Sequence, residues 1–301
     1  MSEGYHYVAY GMGVSSPLPM PELNPAQIRP DIVIRFGAVD RSCLESVGDK
    51  QHFLATREHA CYALDGAGAF QIASGSEITI DPDPSADQRT LRLCLLGPVL
   101  ALALQQRGHL ILHGSAVAIR GSAIGFLGSS GWGKSTVAAA CHTEGHDMIT
   151  DDVLAVDFST ARPFVLPSFP QFKLWPKAVT ALGERVESLP TVHPEFEKRA
   201  RRLTRGFSQS PVPIKGFYLL GRGTELRIER LGSHDALKAL LGYWYGRRFG
   251  APWLRALDQQ SYFLRSAALA NGVRISRLLR PADLSSLREQ VRLLEKDLRD
   301  E

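Results

Sequence analysis

The run Gly128-Ser129-Ser130-Gly131-Trp132-Gly133-Lys134-Ser135-Thr136 constrains this chain more than any other stretch. It fits G-x-x-x-x-G-K-[ST] without a mismatch. Gly128, Gly131 and Gly133 let a backbone turn tightly and aim its N–H groups inward, a cradle for phosphate oxygens. Lys134 adds a mobile cation for the outer phosphates, and Ser135 offers a hydroxyl to a divalent metal. The motif needs a strand before it and a helix after it. Residues 122–127, Ser-Ala-Ile-Gly-Phe-Leu, read as a buried strand, and 134–143, rich in Ala, read as a helix stopped by Gly145. The helix adds the positive end of its dipole to the phosphate site. Residues 147–157 then read as strand with Asp151 and Asp152 in its middle. Apolar residues flank the two acids on both sides, which argues against an exposed turn.

A loop for phosphates followed so closely by two carboxylates implies a nucleoside triphosphate, Mg²⁺ and phosphoryl transfer. One acid can hold the metal, directly or through water, with Ser135; the other can accept the proton of an attacking hydroxyl.

The remaining sequence bounds the alternatives. With 301 residues the chain has room for one large domain or two ordinary ones. Its net charge of +4 does not call for nucleic acid, and no RNA or DNA motif is present. Cys43, Cys61, Cys94 and Cys141 have no metal-binding spacing and read as reduced thiols. No signal-peptide pattern opens the chain, and its longest apolar run, 93–104, is too short for a bilayer. A cytoplasmic protein without a membrane partner is the expectation. No Asn-Lys-x-Asp guanine motif is found, which argues against a GTPase.

Residues 1–90 read as a β-rich domain of short strands, and 91–301 as the α/β domain with a helical C-terminal end. Residues 91–106 read as one apolar helix, the Pro-rich 163–176 as an irregular crossing, and the basic 190–213 as a mobile loop. Residues 214–220 and 226–231 read as strands joined by a Gly-rich turn. Helices are expected over 177–183, 234–245, 253–271 and 283–298, the last with Asp283 as N-cap. Its leucines share one face, which either the chain's own core or a second copy in a homo-oligomer could cover.

The run from Gly125 to Thr136, then Glu144-Gly145-His146-Asp147-Met148-Ile149-Thr150-Asp151-Asp152-Val153, resembles the catalytic core of the HPr kinase/phosphorylase family. That family is a P-loop kinase type related to the phosphoenolpyruvate carboxykinases. His113-Gly114 matches a His-Gly the family carries upstream of its loop. The resemblance covers about residues 110–157 and implies a serine kinase using ATP and Mg²⁺, with Asp151 as base, Asp152 near the metal and His113 orienting a carboxylate or meeting the outermost phosphate. The family's Glu-x-Arg-Gly-Leu-Gly signature is absent here, which points away from HPr as substrate. The segments 167–176, 197–199 and 214–220 resemble divergent members found with peptide-maturation enzymes. Among these are the lasso-peptide kinases, which phosphorylate the C-terminal serine of a precursor peptide. On that reading Lys173, Lys198, Arg199, Arg201 and Arg202 are candidates to grip a phosphate or substrate carboxylate. A kinase of an HPr-like protein, a kinase of a small hydroxyl compound, and a nucleotide-binding regulatory module without transfer are the alternatives.

Overall fold

The computed structural model describes residues 4–42, 44–47, 50–193, 195–256 and 258–299. The chain forms two compact units. One takes the residues up to Ile111 together with Trp244–Leu264; the other takes Leu112–Tyr243 with the chain from Arg265 onward. The boundary expected at residue 90 thus falls inside the first unit.

The first unit is built on nine strands: β1 (Tyr5–Ala9), β2 (Met12–Ser16), β3 (Asn24–Pro25), β4 (Ile32–Phe36), β5 (Glu45–Ser46), β6 (Gln51–Ala55), β7 (His59–Leu64), β8 (Gly68–Ala73) and β9 (Glu77–Pro82). They form one sheet in the order β3-β1-β2-β4-β9-β8-β7-β6-β5. Short hairpins set its register. Ala9 pairs with Met12, and Tyr10 and Gly11 between them have φ of 54° and 73°, the positive values that a two-residue turn matched to strand twist requires. The apolar run at 91–106 is not one helix. It is α1 (Gln88–Cys94) and α2 (Leu100–Gln106) on either side of a π-helical stretch, Leu95–Val99. The break centres on Gly97, with non-helical φ and ψ, and on Pro98, which cannot donate a helix hydrogen bond.

Cys61, Cys94 and Cys141 are free and buried, and burial pushes the Cys61 thiol up to about 11 and that of Cys94 up to about 12, so both are inert thiols. Cys43 lies outside the described residues.

The second unit holds an eight-stranded sheet. Its elements are β10 (Leu110–Ile119), β11 (Ser122–Leu127), α3 (Lys134–Thr143), β12 (Asp147–Thr150), β13 (Val153–Asp157), β14 (Phe164–Val165), β15 (Gln171–Leu174), α4 (Pro176–Ala181), β16 (Thr191–His193), β17 (Phe196–Arg202), β18 (Val212–Arg222), β19 (Arg227–Arg230) and α5 (Ser233–Gly242). Beyond α6 (Gly250–Ala256) and α7 (Gln259–Gly272) come β20 (Arg274–Arg280) and α8 (Leu287–Asp297). The pairings β11–β10, β10–β13, β13–β14, β14–β18 and β18–β11 close a ring of strands. From it the sheet continues through β20 to β19. Strands β11, β18 and β20 run parallel, so their carboxyl ends share one edge. A separate small sheet has the order β15-β17-β16.

Helix α3 is the centre of this unit's core. Val137 through Cys141 are buried among Phe126, Tyr218 and Leu220 of the sheet, Phe172 and Leu174 of β15, and Leu287, Val291 and Leu294 of α8. The leucine face of α8 therefore packs within its own unit. Three expectations are corrected. The basic segment 190–213 is not a loop but contains β16 and β17, paired with β15. The helix read over 253–271 is two, α6 and α7, and α8 starts at Leu287 behind Ser286, while Asp283 accepts the Ser285 amide at 2.9 Å.

Candidate active site

Register carries the site together. In the β10–β11 pair Gly114 faces Leu127, which sets His113 level with Gly128, the first residue of the glycine loop. In the β10–β12 pair Ala116 faces Thr150, so the next residues along, Ser115 and Asp151, also meet. Their side chains are joined by a hydrogen bond of 2.7 Å from the Ser115 hydroxyl to Asp151 Oδ1. One strand, β10, thus lies between the strand that feeds the loop and the turn that carries the acids.

The loop has the backbone its glycines predict. Gly131 and Gly133 adopt φ of 78° and 81°. Gly133 also lies against the Arg280 guanidinium, which a Cβ there would approach to 2.7 Å, and its positive φ is what calls for glycine. Lys134 is buried, and its ammonium donates to the carbonyls of Gly128 at 2.8 Å and Ser129 at 3.1 Å. This fixes the cation at the loop. Gly128 is buried, Ser129, Ser130 and Gly131 are exposed, Ser135 is half-buried and Thr136 is buried at the first turn of α3.

The two acids do not lie within one strand as expected. They form a turn between β12 and β13. The Val153 amide donates to the Asp151 carbonyl at 3.0 Å, and Asp152 between them has φ of 73°. A two-residue hydrogen-bonded span with positive φ at its centre is the uncommon, strained form of the γ-turn. A left-handed conformation at a residue with a Cβ costs about 1–2 kcal/mol. Such strain concentrates at functional positions.

The neighbours of the acids differ. Asp151 is buried, and both its oxygens are engaged, one by Ser115 and the other by the main-chain N–H of Lys173 at 3.0 Å. Asp152 is the more open, with about a quarter of its side chain exposed (24%). Lys173 Nζ lies 3.3 Å from its Oδ2. His113 Nδ1 lies 3.2 Å from both Oδ1 and the main-chain oxygen of Asp152. With two oxygens facing it, Nδ1 is the ring nitrogen that carries the proton. Lys173 therefore ties both acids to β15, the carboxylate of one by its backbone and that of the other by its side chain.

The other basic candidates are placed elsewhere. Lys198, Arg199, Arg201 and Arg202 lie on β17. Lys198 lies over the exposed Trp175 ring at 5.4 Å, Arg199 donates to the Leu189 carbonyl at 3.4 Å, and Arg201 pairs with Glu184 at 2.7 Å. Arg202 faces Gln171 across the β15–β17 pair. Of this set, Lys173 contacts both acids. Phe169 and Phe172, beside it in sequence, are core residues.

Sequence reasoning missed two groups at the site. One is Ser115, hidden as a small residue inside an apolar strand. The other is Arg280, at the end of β20. Its guanidinium donates to the Trp132 carbonyl, while its Nε is buried with no partner among the described residues. Burial first, and then the nearby Arg222 charge, push its pKa below the usual arginine value. A desolvated cation with an idle donor beside a glycine loop suits an anion such as a phosphate. Mg²⁺ also fits the groups present. Among the described residues no three His, Cys, Asp or Glu side chains gather into a metal cage. Ser135, in the first turn of α3, offers a hydroxyl ligand of the kind Mg²⁺ takes when substrate phosphates and water supply the others.

Comparison with known proteins yields no family model that matches and no curated protein that matches. Solved structures do match. One is a structure of the HPr(Ser) kinase/phosphatase from Coxiella burnetii, with 12% identity and a TM-score of 0.33 over 63% of this chain and 88% of that chain. Among the described residues no helix is long and apolar enough to cross a membrane.

Proposed function

We propose that this chain is a Mg²⁺-dependent kinase that transfers the γ-phosphate of ATP to a serine hydroxyl, with the C-terminal serine of a precursor peptide as substrate. The observation that carries the reading is the strained Asp152 turn, held by His113 and Lys173 at the level of the glycine loop. In the step, the serine oxygen attacks the γ-phosphorus, the bond from phosphorus to the ADP oxygen breaks, and the serine proton passes to a carboxylate. Asp152 is that acceptor. The sequence had favoured Asp151, but both oxygens of Asp151 already accept hydrogen bonds from the chain, and its buried carboxylate serves to position the turn. His113 and Lys173 orient Asp152. Lys134 and Arg280 hold the phosphates, and Ser135 holds Mg²⁺, which when bound neutralises phosphate charge.

The test is mass spectrometry of Ser-ended peptides, free serine and an HPr-like protein after incubation with Mg·ATP. The expected result is one added phosphate on a peptide's terminal serine, absent with Lys134→Ala. Asp152→Asn should lower kcat by about 10²-fold or more with the Mg²⁺ requirement unchanged. A raised Mg²⁺ requirement would return Asp152 to the metal and the proton to Asp151. Phosphate on free serine or on the HPr-like protein would replace the peptide as substrate. ATP binding with no transfer to any of these would favour a regulatory module.

A further inference from the structure

The glycine loop has two flanks, and the acids occupy only one of them. On the other lies an open cleft of about 690 Å³, over the carboxyl ends of the parallel strands β18 and β20 and closed on one side by α5. Its volume is that of a site for a nucleotide-sized molecule. We infer that this cleft seats the nucleoside of the triphosphate, an inference that rests on the kinase reading and adds the donor's binding site to it.

The argument begins with the direction of transfer. The attacking and leaving oxygens lie in line on opposite sides of the transferred phosphorus. The acids that meet the attacking hydroxyl sit beyond β10, on one edge of β11. The leaving diphosphate must then point towards the other edge of β11, which is paired with β18. The cleft lies there, and Ser129 and Trp132 of the loop line it.

The walls have the chemistry of a base and a ribose. Trp132 is about a third exposed (36%), with the Arg222 guanidinium 5.8 Å from its ring centre. An indole and a guanidinium both offer flat faces for a nucleobase. Leu219 and Leu279 give an apolar floor. Asp235 on α5 supplies a carboxylate to accept ribose hydroxyls, and Lys238 one helical turn away on the same lining can meet a phosphate. The carbonyl of Trp132 is held by Arg280, so the indole stands on a braced backbone.

The experiment is titration calorimetry of the full chain, with Mg²⁺, against ATP and against methyl triphosphate. The second ligand has the three phosphates and an ester but no sugar or base. ATP should bind about tenfold tighter or more in the wild type. Arg222→Ala and Asp235→Asn should each shrink that advantage several-fold, and Asp235→Asn should leave the methyl triphosphate affinity unchanged, which also shows that this variant is folded. Equal affinities in the wild type, or an ATP advantage that survives both substitutions, would overturn the cleft assignment and leave the loop reading standing. Failure of both ligands to bind would overturn the loop reading, and the cleft assignment with it.

Discussion

At the scale of single residues, the site turns on the backbone of Asp152. Its positive φ is held by the Gly114 amide and by His113, both of which reach its carbonyl oxygen. The chain spends stability to aim this carboxylate. Removing the Cβ should return that energy. Asp152→Gly is expected to be more stable than Asp152→Ala by about 1–2 kcal/mol in urea denaturation, with both variants inactive. An alanine variant as stable as the glycine one would mean that the turn is not strained. The acids, His113, Lys134 and the loop were legible because each belongs to a short motif whose residues are fixed in spacing. Lys173 was legible only as a cation. Its part in holding both acids depends on the β15 backbone passing beside the turn, and no local pattern encodes that passage.

At the scale of elements, the strand β10 is the link between loop and acids, and Gly114 sets how closely it lies on β11. A Cβ there would meet Leu127 Cδ2 at 2.8 Å and the Phe126 carbonyl oxygen at 2.9 Å. Gly114→Ala should therefore destabilise the protein by about 1–3 kcal/mol through overpacking. It should also lower kcat/KM, because parting the two strands moves His113 away from the loop. Gly272→Ala, at the end of α7 where a Cβ meets nothing within 4 Å, is the control and should be neutral or slightly stabilising in the same thermal melts. Equal losses from the two would show that strand spacing at Gly114 is not limiting. Elements with one strong period or a bounding glycine signal were readable, as with β11 and α3. Strand β20 was not. Its three arginines, Arg274, Arg277 and Arg280, disguise an interior strand, and each has a separate task at the sheet's rim. Arg274 pairs with Asp297, Arg277 lines the cleft and Arg280 braces the loop. The same disguise hid β17, whose basic residues looked like a solvated loop.

At the scale of the whole molecule, the division into units is discontinuous in sequence, and this could not be read from composition. Residues 244–264 follow α5 directly, yet they belong to the first unit. Aromatic packing fixes them there. Trp253 stacks on Phe53 at 5.1 Å, Phe249 meets Tyr62 edge-on at 6.0 Å, and the Trp253 indole N–H donates to Gln105 at 2.6 Å. A cut at residue 90, where composition changes, severs Phe53 and Tyr62 from these partners. The fragment 91–301 keeps Tyr245, Phe249 and Trp253, all buried in the intact chain, without the sheet that covers them. Each large aromatic brings about 150–250 Å² of surface that must then face water. The fragment is expected to bind a hydrophobic dye and to self-associate in sedimentation, while the intact chain does neither. Supplying the dye-binding fragment with Trp253→Ser and Phe249→Ser should reduce both effects, since those rings are their source. A fragment 91–301 that is monomeric, free of dye and cooperative in unfolding would instead place residues 244–264 with the phosphate-loop unit, and the domain boundary back where the composition changes.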